Sequence, residues 1–285
     1  MLTQTSPETE TNKYAMKISY LLATNRQKTY PHVLKQAIDS INAQPTKYEY
    51  EILVYAEDEV VGDHVRWIKE DIRRGQLYGT NLMMRYFAQG EYMVGVTDDI
   101  KFLNSIDLCI DMIESPAFAN RKFKICGLAC GGTCAIPPKN TRIGDVMHIK
   151  EDMPQGIILR WPVVQKDTID KYMNGYMVHP RLYHAAGDIW LGYYLAVMGE
   201  PAIEGPTRIW PILDIHDASW ELQDCNTVYA FIVNHKNGEP GYVNMRWENE
   251  ALQHQFNPAD IFLSRSNYDK PITTQDNGKN TNDPN

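Results

Sequence analysis

Between residues 17 and 100, short apolar runs alternate with helix-spaced stripes, and each run ends in polar residues. Residues 17–23, Lys-Ile-Ser-Tyr-Leu-Leu-Ala, read as a first strand that ends in Thr24-Asn25-Arg26. Residues 30–43 then set Val33, Leu34, Ala37, Ile38 and Ile41 on one helical face. Residues 51–55 read as a second strand, followed by Glu57, Asp58 and Glu59. Residues 65–72 and 77–88 are expected as helices, and residues 92–96, Tyr-Met-Val-Gly-Val, as a third, buried strand. This alternation predicts an α/β fold with a mostly parallel, doubly wound sheet and helices on both faces.

Asp98 and Asp99 fall where the third strand leaves that sheet. Ligands of open α/β sheets bind outside the carboxyl ends of the strands, so the pair is expected over a crevice. Adjacent carboxylates repel, and a cation between them relieves the repulsion. Hard oxygen donors completed by a ligand's phosphates suit Mg²⁺ or Mn²⁺. Taken alone, the pair fits a solvated turn or a helix N-cap better than a metal site, since Asp is favoured at both.

At 285 residues the chain can bury a substantial core, and 28 basic against 36 acidic side chains give a formal charge of −8. An acidic chain is poorly equipped for non-specific nucleic-acid binding, where Lys and Arg displace counterions. It can still hold a nucleotide if a metal neutralises the phosphates. No apolar run is long enough for a membrane span, and residues 1–12 lack the features of a secretory signal. Cys126, Cys130 and Cys134 lack the paired spacing of a zinc site, so reduced, buried thiols and a cytoplasmic setting are expected.

Further along, residues 105–113 read as a helix, 123–128 as a strand and 131–152 as a loop-rich segment around Pro137-Pro138. Residues 156–164 have strand character, and a helix is expected near 168–173. Asp188 opens a helix over 188–198 with Gly199 just past its end. A strand is expected over 208–215 and a helix over 244–255. Residues 1–14 and 266–285 are too polar to bury anything and are expected to be disordered.

In this order the features resemble the family 2 type of GT-A glycosyltransferases, over about residues 17 to 200. Thr24-Asn25-Arg26 resembles the end of the family's opening strand, near the nucleoside. Glu51-Ile52-Leu53-Val54-Tyr55 and the acids after it resemble the segment whose acid holds the base. The stretch from Gln76 to Glu91, with Asn81, Ala88 and Gly90, resembles the helix leading into the metal strand, and Thr97-Asp98-Asp99 matches the DXD-type position. Gly187-Asp188-Ile189-Trp190-Leu191-Gly192 is similar to the segment that carries the catalytic base of inverting members. Two departures stand out. Ala56-Glu57-Asp58 replaces the usual acid pair, and Gly187 replaces the Glu that normally precedes the base.

The resemblance implies a GT-A catalytic domain over 15–220 with a C-terminal extension over 221–265. It implies a nucleotide-diphosphate sugar as donor (a UDP-sugar favoured) and a glycan or other hydroxyl-bearing acceptor. Asp98 and Asp99 would hold Mn²⁺ or Mg²⁺, with His216 as a late ligand, and Asp188 would be the general base. Thr24, Asn25, Arg26, Glu57, Asp58, Asn81, Arg85 and Asp98 would line the donor site. Trp190, Trp210, Trp220 and Tyr183 could stack on an acceptor sugar, though such residues are more often core. A modified-DNA acceptor stays open. So do two other functions: a non-catalytic nucleotide- or sugar-binding protein, and a sugar nucleotidyltransferase. The second lacks its usual Gly-rich loop, since residues 24–30 contain no Gly.

Overall fold

The computed structural model describes residues 16–24, 26–71, 74–130, 159–179, 182 and 187–212. The expected termini, the loop at 131–152, the helix at 244–255, and Asn25, Tyr183, His216 and Trp220 lie outside them. Strands β1 (Met16–Ala23), β2 (Tyr50–Ala56), β3 (Val65–Lys69), β4 (Gly90–Thr97), β5 (Ile100–Phe102), β6 (Ile125–Cys130), β7 (Pro162–Gln165) and β8 (Glu204–Pro211) form one sheet in the order β3-β2-β1-β4-β7-β6-β8-β5. The β3-β2-β1-β4 half is parallel. β7 then runs antiparallel to both β4 and β6, β6 is parallel to β8, and β5 is antiparallel to β8.

Helices cover both faces. On one, α1 (Pro31–Asn42) and α3 (Asp107–Glu114) meet Ile18, Leu22, Ile52, Val54, Val94 and Val96. On the other, α2 (Gln76–Tyr86), α5 (Lys166–Tyr172) and α6 (Gly187–Val197) close over Leu21, Leu53 and Met93. A four-residue α4 (Pro116–Ala119) follows α3. The alternation of β1 side chains between the two clusters follows from the two-residue period of a strand. Each aliphatic side chain so buried contributes roughly 1.5–3 kcal/mol relative to exposure.

In place of the helix expected at 65–72, Val65–Lys69 form strand β3. Val65 and Ile68 are the buried positions of β3, and their spacing imitates a helical stripe. Valine, tryptophan and isoleucine favour a pleated surface, and a parallel partner is available in β2 (Ile52 beside Val65, Ala56 beside Lys69). The strand predicted at 208–215 begins earlier, at Glu204, and of the one at 156–164 the described residues form Pro162–Gln165.

At the amino ends of the strands, Glu51 is fully buried. It accepts the Ser19 hydroxyl and the Gln89 N–H, both at 2.7 Å, and lies 3.5 Å from Arg66 Nε. A buried carboxylate is tolerable only when paired in this way. The network fastens β1, β2 and the turn into β4 at the edge remote from Asp98.

Candidate active site

β1 lies between β2 and β4, so the chain winds outward through β2 and β3 and then returns on the other side of β1. Such a reversal opens a crevice at the carboxyl ends of the two central strands. The register sets Ala23 beside Thr97, and the next residues along, Thr24 and Asp98, meet directly. The Thr24 hydroxyl donates to Asp98 Oδ2. Arg26 Nη1 donates to Asp98 Oδ1 at 3.2 Å and to Asp99 Oδ2 at 2.7 Å, so one cationic nitrogen bridges both acids. Asp98 is only 4% exposed. Burial pushes its carboxyl up to about 6; the charge of Arg26 opposes the rise, Asp99 adds to it, and the Thr24 hydrogen bond opposes it.

Asp99 is also fixed from the far edge of the sheet. Its carbonyl accepts the Ile212 N–H at 2.6 Å, just beyond the pairing of Ile100 with Pro211.

Asp188 occupies the first turn of α6, where the helix dipole favours an anion. Its carbonyl accepts the Leu159 N–H at 3.2 Å, and Arg160 Nε lies 3.9 Å from Asp188 Oδ2. Leu159 and Arg160 lead into β7, which pairs antiparallel with β4. They consequently lie toward the carboxyl end of β4. Trp161 completes the link, its indole N–H donating to the Thr97 hydroxyl at 3.2 Å. Asp188 is thus linked, through Arg160 and Trp161, to Thr97, the residue before Asp98. Its carboxylate is about a third exposed, at 36%.

The start of α6 is set by close packing. A Cβ on Gly187 would come within 2.9 Å of Val178 Cγ1 and 3.2 Å of Leu77, so the departure at this position has a steric cause. Val178 is itself clamped by Asn81, whose Oδ1 accepts the Met177 and Val178 N–H groups at 3.1 and 3.2 Å while Nδ2 donates to the Val178 carbonyl at 2.9 Å. Asn81 is fully buried, and its amide is spent on this segment. The expectation that Asn81 faces a diphosphate is therefore corrected: its position on the helix turns it inward.

Arg85 needs the same correction. It sits in the last turn of α2, toward the amino end of β4, with its guanidinium 4.8 Å above the Tyr176 ring. The crevice is at the other end of β4. Glu57 and Asp58 follow β2 and are exposed; Glu57 pairs with Lys28 at 2.7 Å, and the Asp58 backbone exchanges two hydrogen bonds of 3.0 Å with the Gln27 side chain. Trp190 is core, stacked on Tyr194 at 5.3 Å, whereas Trp210 is 49% exposed on β8. Arg160 and Trp161 were not singled out by sequence, because only the β4–β7 pairing brings them to the crevice.

Among the described residues no group of three or more His, Cys, Asp or Glu side chains could hold a metal. Cys109 and Cys126 are buried free thiols, and no described helix is long and apolar enough to cross a membrane.

No family model matches the chain, and no curated protein matches it. Among solved structures it is similar to GalNAc-T7 with UDP, GalNAc and Mn²⁺, at 11% identity and a TM-score of 0.55 over 89% of this chain. It spans 55% of that protein's chain. Two weaker likenesses are to the mannosyltransferase PcManGT from Pyrobaculum calidifontis with GDP-Man and Mn²⁺ (14% identity, 89% and 74% covered, TM-score 0.46) and to S. aureus TarS 1–349 with UDP (14%, 78% and 72%, 0.42). At such identities a likeness establishes the fold, which is GT-A.

Proposed function

We propose that this chain is a metal-dependent, inverting glycosyltransferase that moves a sugar from a nucleotide-diphosphate donor, a UDP-sugar by preference, to an acceptor hydroxyl. One observation carries it: Asp98 and Asp99 converge on a single cationic nitrogen in the crevice between β1 and β4. A guanidinium nitrogen there stands in for a cation, and carboxylate oxygens suit a hard one. Asp98 and Asp99 would hold Mn²⁺ or Mg²⁺, with His216 as a further ligand. The bound ion would neutralise charge gathering on the departing diphosphate.

Asp188 takes the proton from the acceptor hydroxyl as that oxygen bonds the anomeric carbon and the bond from this carbon to the diphosphate breaks. A positioned base contributes roughly 10²–10⁴ in rate. Arg160 Nε, 3.9 Å from Asp188 Oδ2, supplies a positive charge beside that carboxylate. Thr24 orients Asp98, and Asn25, Glu57 and Asp58 would meet the nucleoside. The UDP preference leans on the likeness to GalNAc-T7, whose structure holds UDP.

A non-catalytic nucleotide-binding role has one observation in its favour, since Arg26 already neutralises the acids. A donor-hydrolysis screen over UDP-, GDP-, CMP- and dTDP-sugars, with and without Mn²⁺, separates the two. Mn²⁺-dependent release of nucleoside diphosphate supports transfer chemistry, and binding without turnover supports the second role.

A further inference from the structure

Arg26 occupies the place that a divalent cation needs. Its Nη1 contacts one oxygen of Asp98 and one of Asp99, and the two carboxylates are mostly shielded from water at 6% and 17% side-chain exposure. A guanidinium keeps its charge at any working pH. A divalent ion on the same oxygens would sit within a few ångströms of that charge, where repulsion in a partly buried site is strong. Metal and guanidinium therefore exclude one another at this pair. Arg26 itself follows the end of β1, and its side chain is 30% exposed.

We infer that Arg26 is a built-in counter-ion of the acid pair, so that metal enters together with an anionic nucleoside diphosphate that takes over the displaced guanidinium. Resting on the proposed function, this adds an order of binding to it. Free protein binds the metal poorly, because the ion must expel Arg26 into water. A diphosphate supplies oxygens for both cations, so metal and nucleotide each raise the other's affinity by the same factor. Arg26 becomes a positioning residue for the leaving group once the metal has entered, and a lock on the empty site before that.

The test is Mn²⁺ binding to the full chain, followed by electron paramagnetic resonance, with and without UDP or GDP. Wild type should bind Mn²⁺ weakly alone and at least about tenfold more tightly with nucleotide. Arg26→Gln should bind Mn²⁺ alone at least about tenfold more tightly than wild type, a change of about 1.4 kcal/mol, and should lose most of the coupling to nucleotide. Thermal melting gives a second readout. Arg26→Gln without metal should melt below wild type, two acids being left unneutralised, and Mn²⁺ should raise its melting temperature more than it raises that of wild type. Arg26→Met should repeat both results. If either neutral variant folds and binds Mn²⁺ no more tightly than wild type, the counter-ion role is overturned. An Asp99→Asn control keeps the two ideas apart: if it binds Mn²⁺ as wild type does, the metal site itself is wrong and the inference falls with it.

Discussion

The Trp161 indole N–H donates to the Thr97 hydroxyl at 3.2 Å, tying the approach to β7 to the end of the strand that carries Asp98. Trp161 has φ 42°, a left-handed conformation that costs a non-glycine residue about 1–3 kcal/mol. The surrounding contacts hold it there. Through Arg160, next in the chain, the same segment reaches Asp188. The helix that supplies the proposed base and the strand that supplies the proposed metal ligands are thus braced against one another.

If Asp188 is the base, Asp188→Asn keeps the shape of the helix start and loses the proton acceptor. Donor binding should survive while transfer falls by at least ~100-fold. Isothermal titration with a nucleoside diphosphate and a transfer assay measure the two separately. Full activity in this variant would move the base elsewhere.

Asp99→Ala removes the more exposed of the two acids. Mn²⁺-dependent donor binding should disappear, and titration of nucleoside diphosphate with and without Mn²⁺ reads this directly. Affinity that still depends on Mn²⁺ would remove Asp99 from the site.

Asp98 sets a pH dependence. Its carboxyl is raised from 3.8 to about 6 in the folded chain, mainly by burial. Between those values the folded state holds a proton that the unfolded state has lost, so stability falls as pH rises from about 4 to 6 and is level above that. The loss is of order 3 kcal/mol at most. Urea unfolding with a chelator present should show this slope, and Asp98→Asn should flatten it. Metal binding must expel the same proton, so Mn²⁺ affinity should rise with pH through about 6.

Gly187→Ala places a methyl against Val178 and Leu77, at 2.9 and 3.2 Å. Overpacking of this kind costs about 1–3 kcal/mol. A lowered denaturation midpoint should result, together with weaker transfer, because the start of α6 moves and Asp188 moves with it.

Asn81→Leu tests the corrected position. Two backbone N–H groups and one carbonyl at 177–178 would lose their partner. Each buried polar group left unsatisfied costs about 1–3 kcal/mol, so the melting temperature should drop clearly. A stable variant with selectively weakened diphosphate binding would instead return Asn81 to the donor site.

Much of the architecture was legible in the amino-acid order. β1, β2 and β4 appear as short apolar runs ending in polar residues, and α1, α2, α3 and α6 as stripes with their own boundaries. These signals are local: period, cap and breaker all fall within one window of sequence. The acids at the end of β4 were marked for the same reason. β3 was misread because a strand of five residues with buried positions at Val65 and Ile68 matches a helical spacing, and only pairing with β2 decides between them. β5, at three residues, exists through its pairing with β8, which arrives much later in the chain. Composition and periodicity therefore determined the class of fold and the strand end on which the acids sit. Tertiary structure alone decided that Arg26 turns onto those acids, that Asn81 faces inward, and that Arg160 and Trp161 join Asp188 to the crevice. Each of these depends on contacts between distant segments, and the free energy of such contacts is set by the neighbour across the sheet rather than the neighbour along the chain.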